Sequence, residues 1–230
     1  MEVKPKLCIL QVEGDKASDR YVANKMKRCD AVGIEVSHIL MPNNIQNEGV
    51  ESIIQILNET EDVTGILLQL PLPKHLDEDY LTNLIIPEKD VDGFTINNTG
   101  KLSLGNPYTV PCTAKGIMDL LDYYNIDVCG RDVLIINRSN IVGKPLAQLM
   151  LQRNATVTIA HSHTEYLKEK IKQADIVVTG VGIPKFLNKD NFSSNTVIID
   201  VSINFVDGKM CGDVNKDDYD KALKLIEQFT

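Results

Sequence analysis

No stretch of the sequence approaches the roughly 18 consecutive apolar residues that a bilayer-crossing helix requires, so no membrane partner is expected. The apolar run at 7–12 is too short for a secretory signal core and is followed at once by Glu13-Gly14-Asp15. Cysteine is sparse: Cys8, Cys29, Cys112, Cys129 and Cys211 are scattered, odd in number and nowhere spaced C-x-x-C. Neither a zinc ribbon nor a disulfide framework is suggested. No metal site is expected, and the thiols read as reduced, in a cytosolic or organelle-matrix compartment. Clustered Lys/Arg is missing too. With 24 basic against 32 acidic residues the net charge is −8, which argues against nucleic acid or an anionic membrane surface as partner. No internal repeat or low-complexity segment is visible.

What is present is the composition of an ordinary globular protein. Of 230 residues 43% are hydrophobic and 24% charged, enough to fill a core and too apolar for intrinsic disorder. The length suits one large domain or two small ones. Short apolar runs alternate with helix-period segments. Residues 7–12 read as a buried strand, 36–41 as the next strand candidate and 63–70 as a strongly apolar strand, with helices at 19–32 (Ser18 as N-cap, Gly33 as stop), 50–58 and 77–84. The middle, 87–111, reads as loop because Asp92-Gly93, Thr99-Gly100 and Gly105-Asn106-Pro107 are turn signals. A helix at 114–124 follows. Then come four strands read as buried, at 133–136, 157–159, 176–179 and 197–201, with helices at 145–153 and 165–173 between them. Continuous apolar strands alternating with helices predict an α/β protein: two lobes, each a mainly parallel sheet flanked by helices. The loop-rich middle sets the division, 1–113 and 114–230.

Parallel sheets bind ligands beyond the carboxyl ends of their strands, and several such ends carry polar residues. Tyr21 and Lys25 are four apart, on one face of the first helix; spacing alone equally describes a solvated lysine beside a half-buried tyrosine. Gln69-Leu70-Pro71-Leu72-Pro73 closes the most apolar strand with an amide and two prolines, which would also explain a rigid exit from the sheet. Asp90-Val91-Asp92-Gly93 is either a turn or a carboxylate site, the turn being more frequent. In the second lobe, Asn137-Arg138-Ser139-Asn140-Ile141-Val142-Gly143-Lys144-Pro145 joins a strand to a helix and could receive phosphate. It is not G-x-G-x-x-G, so by pattern alone it is a weak dinucleotide signal. The strand at 156–160 ends in His161-Ser162-His163-Thr164, where an adenosine ribose would lie or where a polar turn would do.

In combination the segments are specific. Ser18-x-x-Tyr21-x-x-x-Lys25-x-Lys27, Gly65 to Pro73, Lys89-Asp90-Val91-Asp92-Gly93-Phe94, Pro111-Cys112-Thr113, Arg138 to Pro145, Ala155-Thr156-Val157-Thr158 and Gly212-Asp213-Val214 occur in that order. The chain closely resembles the bifunctional methylenetetrahydrofolate dehydrogenase/methenyltetrahydrofolate cyclohydrolase family from about residue 5 to residue 230. The resemblance implies a folate-binding catalytic domain at 1–113, a Rossmann-like NADP-binding domain at 114–230, and folate in the cleft between them. It implies oxidation of methylenetetrahydrofolate to the methenyl cation and hydrolysis of that cation to 10-formyltetrahydrofolate. Lys25 matches the catalytic lysine, Tyr21 the tyrosine beside the folate, Gln69 the glutamine that holds the lysine, and Asp92 the aspartate that grips the pterin. Leu70 and Pro71 join the substrate residues. Asn137, Arg138, Ser139, Gly143, Ser162 and Ile203 match the cofactor side. A cytoplasmic homodimer serving one-carbon metabolism and purine biosynthesis is implied as well.

NADP is favoured over NAD, since Arg138 and Ser162 are donors and no Asp or Glu stands at 160–164 to hold a ribose 2′-OH. Some positions depart from the family. Asn137 replaces a glycine and is expected to tolerate a left-handed conformation. Ala114 replaces a proline. Ser202, in Asp200-Val201-Ser202-Ile203-Asn204-Phe205, puts bulk where backbone should approach the cofactor. The family's first helix is missing, and the chain stops at Phe229-Thr230 where the family continues into a glycine-rich segment. These features predict weak NADP binding and a lowered dehydrogenase rate for the chain as given; the alternative is that the sequence omits the ends of a longer, fully active protein. The alternatives are a cyclohydrolase with weak or lost dehydrogenase activity and a non-catalytic folate- or nucleotide-binding paralogue.

Overall fold

The computed structural model describes residues 4–193, 195–215 and 224–227; the expectation for the region beyond Phe229-Thr230 lies outside them. The chain divides into two units, Met1–Thr109 and Val110–Thr230. The expected division at 113/114 falls inside a helix, α5 (Cys112–Tyr123). Among the described residues no helix is long and apolar enough to cross a membrane.

The first unit is built on β1 (Lys6–Val12), β2 (Glu35–Met41) and β3 (Gly65–Leu68), all parallel in the order β2-β1-β3. The pleat sends alternate side chains to opposite faces. Cys8, Leu10, Val12, Ile66 and Leu68 meet Val50, Ile54 and Leu57 of α2 (Asn47–Glu59) and Leu81 of α3 (Glu78–Asn83). Ile9 and Leu67 point the other way, onto Val22 of α1 (Lys16–Ala31). Lys89 closes α2: its Nζ donates to the carbonyls of Leu57, Asn58 and Thr60 at 2.8–2.9 Å, a cation where the helix dipole is negative.

Two expectations for this unit need correction. The cap of α1 is Asp15, whose carboxylate accepts from Ser18 N at 3.0 Å and Ser18 Oγ at 2.7 Å. Ser18 thus sits inside the first turn. At the other end the helix stops as expected: Gly33 takes φ +77° and Ile34 N returns to Cys29 O at 2.9 Å. The middle is not all loop, because α4 (Ile96–Ser103) lies in it. Thr95 Oγ1 caps it by accepting from Asn98 N, and burial of Asn98 and Leu102 holds Gly100 within a helix despite its propensity.

The second unit has β4 (Asp132–Ile136), β5 (Thr156–Ala160), β6 (Ile176–Thr179), β7 (Val197–Asp200) and β10 (Lys224–Glu227), parallel in the order β10-β7-β6-β4-β5. Val133, Ile135, Ile176, Val178 and Ile199 pack on α5 and on Leu146 and Met150 of α6 (Gly143–Gln152). Leu134, Ile136, Val177 and Ile198 pack on Ile171 of α7 (Leu167–Gln173). Helices on both faces of a parallel sheet make the doubly wound, Rossmann-like arrangement. Chain order reverses between β4 and β6, and that switch point is where such sheets bind ligands. An antiparallel hairpin, β8 (Asn204–Val206) with β9 (Lys209–Cys211), was not foreseen. Its turn is Asp207-Gly208 with φ of 51° and 75°, a two-residue signal for a hairpin that is too short to show alternation.

Candidate active site

Alternation along β3 decides where Gln69 goes. It follows Leu68 and shares the face of Leu67, so its side chain emerges on the α1 side. Gln69 is buried, and its backbone N–H donates to Leu10 O at 2.8 Å. Its Nε2 donates to Leu70 O at 2.6 Å, which fixes the amide and leaves Oε1 to accept from Lys25 Nζ at 3.1 Å. Lys25 is therefore a half-buried, oriented amine rather than a solvated one. Tyr21, one turn earlier, keeps 45% of its surface exposed. Leu70 is half-buried, Pro71 is exposed, and the bond between them is cis.

Asp92 joins this group through electrostatics. Burial pushes its carboxyl up to about 6, against the pull of the Lys25 ammonium, and the Asp90 carboxylate adds to the rise. The two readings of Asp90-Val91-Asp92-Gly93 are divided between its acids. Asp90 makes the turn: it is buried and accepts from Gly93 N, Phe94 N, Thr95 N and Asn98 Nδ2. Asp92 is left as a half-buried carboxyl within the field of Lys25.

In the second unit Asn137 holds the ends of β4 and β6 together. Its Nδ2 donates to Gly180 O at 2.6 Å across the switch point. Its Oδ1 accepts from Ser139 N, Ser139 Oγ and Gly143 N at 2.8–3.1 Å. The left-handed conformation expected of Asn137 is absent, since it is not among the residues of positive φ. The amide side chain, which a glycine would lack, organises the loop instead. Gly143 is required sterically: a Cβ there would lie 2.1 Å from Asn137 O. The first-turn donors of α6 are already engaged, with Gly143 N on Asn137 and Lys144 N on Ser139 O, and Pro145 has none. An anion at this end would meet the helix dipole and exposed side chains rather than orphan N–H groups.

Register places those side chains. Ile136 pairs with Ala160, so Arg138 and Ser162 each lie two residues beyond a matched strand end, and both are exposed. No carboxylate occurs between 160 and 164. This donor set fits a dinucleotide that carries a further phosphate on its ribose. Ile203, beyond β7, is half-buried. Its neighbour Ser202 is absorbed into the fold: Oγ accepts from Gly182 N at 3.0 Å and donates to Asp213 Oδ2 at 2.8 Å.

Asp213, part of a motif that carried the resemblance but no assigned role, is the polar centre of this region. Fully buried, it accepts from Val181 N, Gly182 N, Ile183 N, Thr179 Oγ1, Ser202 Oγ and Asn204 Nδ2 at 2.7–3.2 Å. Nothing in local spacing announces such a hub, because its donors come from segments 9 to 34 residues away.

Two family models cover the chain: the tetrahydrofolate dehydrogenase/cyclohydrolase catalytic domain matches residues 1–92 and the NAD(P)-binding domain of the same enzymes matches 111–228. A bifunctional protein FolD from Ligilactobacillus salivarius is 46% identical over 225 residues, 97% of this chain and 79% of that protein. The crystal structure of the bifunctional FolD dehydrogenase/cyclohydrolase from Campylobacter jejuni superposes with a TM-score of 0.95 at 37% identity, covering 98% of this chain and 80% of that one. The Trypanosoma brucei enzyme, solved with NADP and an inhibitor, gives 0.90 at 33% identity over 97% of this chain and 79% of its own. With both halves matched, and with the lysine–glutamine pair and the switch-point loop formed by the motifs that suggested it, the chain belongs to the tetrahydrofolate dehydrogenase/cyclohydrolase family.

Proposed function

We propose that this enzyme oxidises methylenetetrahydrofolate to methenyltetrahydrofolate with NADP and hydrolyses the product to 10-formyltetrahydrofolate, with Lys25, Gln69, Asp92 and Tyr21 as its folate-side residues. The observation that carries the reading is the Lys25–Gln69 hydrogen bond with a raised carboxyl, Asp92, in the field of the same amine. NADP, when bound, accepts the hydride. The protein's own part in that step is orientation, since the departing hydride leaves a carbon already flanked by two nitrogens. Tyr21 offers a ring face to the pterin, Leu70 and Pro71 an apolar wall, and Asp92 two acceptors for the pterin N–H and amino groups.

Hydrolysis needs more. A water must add to the methenyl carbon and lose a proton. An amine serves as base only when burial or a nearby positive charge lowers its affinity for protons. The methenyl cation is such a charge, and Gln69 Oε1 keeps the Lys25 nitrogen at one place while it acts. Arg138 and Ser162 would hold the 2′-phosphate, with Asn137, Ser139, Gly143 and Ile203 shaping the rest of the cofactor side. Folate binding by residues 1–113 and NADP binding by 114–230, a homodimer, a cytoplasmic location and service to purine biosynthesis complete the reading.

The test is the absorbance of methenyltetrahydrofolate during turnover with NADP and then NAD. NADP should be preferred, and Arg138→Ala should weaken NADP by about tenfold or more while barely touching NAD, because the charge-assisted contact exists in only one of the two. Equal losses would remove Arg138 from the 2′-phosphate site.

Asp92 gives a pH signature. Ionised, it grips the pterin with two charge-assisted bonds; protonated, it keeps one weaker acceptor. Folate affinity should therefore fall as pH drops through about 6. The free protein should show the opposite trend in stability. The folded carboxyl titrates above the unfolded value of about 4, so the folded state holds the extra proton between the two. Stability then declines as pH rises from about 4 to about 6 and levels off above. Asp92→Asn should abolish both trends, read by calorimetry and by urea midpoints. An unaltered folate profile in that variant would take Asp92 out of the site.

A further inference from the structure

The turn that carries Asp92 is held more firmly than a surface turn requires. Three successive backbone donors converge on one buried side chain: Gly93 N and Phe94 N reach Asp90 Oδ1 at 2.8 and 3.3 Å, and Thr95 N reaches Oδ2 at 2.9 Å. Asn98, fully buried on α4, adds its Nδ2 to the same Oδ2 at 2.8 Å and also donates to Pro87 O at 3.0 Å. Asn98 Oδ1 has no partner among the described residues, so this amide is kept in the core at a cost that two donor bonds must offset. On the other side the segment continues the sheet. Ile66 N donates to Lys89 O at 2.7 Å, and Asp90 forms a parallel bridge with Ile66. Val91 packs against Gly65 so closely that a Cβ there would lie 2.4 Å from Val91 Cγ1. Asp92 thus lies between Val91, packed against Gly65 of β3, and Gly93, whose N–H is held by the same Asp90 carboxylate that takes the Asn98 amide of α4.

We propose that Asp90 is the positioning residue for Asp92: by gathering three backbone N–H groups and the Asn98 amide, it sets the turn that presents the Asp92 carboxyl to Lys25 and the folate. A glycine-bearing turn could form without this cluster, since an Asx turn needs one or two of these bonds. The additional bonds convert a turn into a rigid mount, and a mount fixed to fractions of an ångström is what a bidentate contact to a planar ring demands. Asp90 also acts at a distance: its carboxylate adds to the burial that makes Asp92 harder to ionise, against the pull of Lys25. The inference rests on the folate-site reading for its consequence in binding, but its geometric part can be tested without folate.

The experiment uses the full chain and two substitutions. Asp90→Asn keeps the shape, removes the charge and replaces an acceptor by a donor. Asn98→Ala removes one bond and keeps the Asp90 charge. Carboxyl NMR of the free protein should place the Asp92 titration near 6 in the parent, close to it in Asn98→Ala, and shifted toward the ordinary carboxylate range in Asp90→Asn. Tetrahydrofolate, followed by calorimetry, should bind about tenfold more weakly to Asp90→Asn, with a parent-like far-UV circular dichroism spectrum and cooperative urea transition as the sign that the protein is folded. The proposal is overturned if Asp90→Asn leaves the Asp92 titration in place, or if Asn98→Ala moves it equally far. A moved titration with unaltered tetrahydrofolate affinity reports the lost Asp90 charge alone: it overturns the positioning role where Asp92→Asn still weakens tetrahydrofolate, and the folate-site reading where Asp92→Asn leaves it unaltered too. Should Asp90→Asn fail to fold, Asn98→Ala decides alone: KM for the folate should rise several-fold with kcat held, and an unchanged KM overturns the proposal.

Discussion

Lys25→Met should lower the hydrolysis of methenyltetrahydrofolate by at least about a hundredfold, the lower end of what a positioned acid–base group contributes, while tetrahydrofolate still binds. Methionine keeps most of the length and apolar stem of lysine but has no proton to exchange and no donor for Gln69 Oε1. That oxygen is part of a buried side chain whose amide is already committed to Leu70 O, so it cannot turn to find another donor. A modest loss of stability, about 1 kcal/mol, should accompany the kinetic effect. Rapid mixing of preformed methenyltetrahydrofolate with the variant measures the hydrolysis step directly. Hydrolysis at the parent rate would show that water is activated elsewhere and that Lys25 is only a neighbour of the folate.

Asp213→Asn should be the more damaging substitution for the fold. Six donors converge on this carboxylate. Asparagine puts an NH₂ group among them, so it both removes acceptors and opposes donor to donor. Breaking a buried charged network of this kind costs about 3–5 kcal/mol. For a chain of this size that corresponds to a fall in Tm of roughly 10 °C. Loops 181–183 and 202–204, freed from their common anchor, should also cost NADP affinity. Differential scanning calorimetry and NADP titration check both. A Tm within about 2 °C of the parent would mean that the cluster is solvated or replaceable, and the energetic argument would fall.

These two residues mark what could be read in the sequence and what could not. Strand–helix alternation carried the architecture, because β1, β3, β4, β6 and β7 are apolar and mostly buried; β2 and β5 lie at sheet edges and are partly exposed, so the expectation of a buried strand at 157–159 does not hold. The i, i+4 spacing of Tyr21 and Lys25 put them on one side of α1, yet it could not distinguish an oriented lysine from a solvated one. The deciding fact is the pleat of β3, which turns Gln69 toward that helix from 44 residues away. The acids of 90–93 offered turn or site as rival readings; only the fold assigns one to each. α4 stayed hidden because Gly100 beside Thr99 looks like a turn, and burial of Asn98 and Leu102 is a tertiary effect that overrides propensity. Asn137 shows the converse. Its identity was noticed as a departure and explained through backbone freedom, whereas its contribution comes from the side chain bridging β4 and β6.

The strand orders have a consequence for how the chain is made. In each unit the strand that leaves the ribosome first, β1 or β4, ends up between its partners. On emerging it has two open edges and nothing to pair with. β1 must wait for β2 at residue 35 on one side and for β3 at residue 65 on the other. At about 5–20 residues per second of synthesis that is an exposure of several seconds. The sequence Leu-Cys-Ile-Leu-Gln-Val, apolar and uncharged, is the kind of short segment that self-associates when unpaired. Lys4 and Lys6 before it and Glu13 and Asp15 after it flank the run with charge, the usual protection for an unavoidable apolar strand. Neutralising Lys4 and Glu13, which leaves the α1 cap Asp15 and the Lys6–Asp62 pair in place, would act on the yield of folded protein from the nascent chain, with little effect on the finished enzyme.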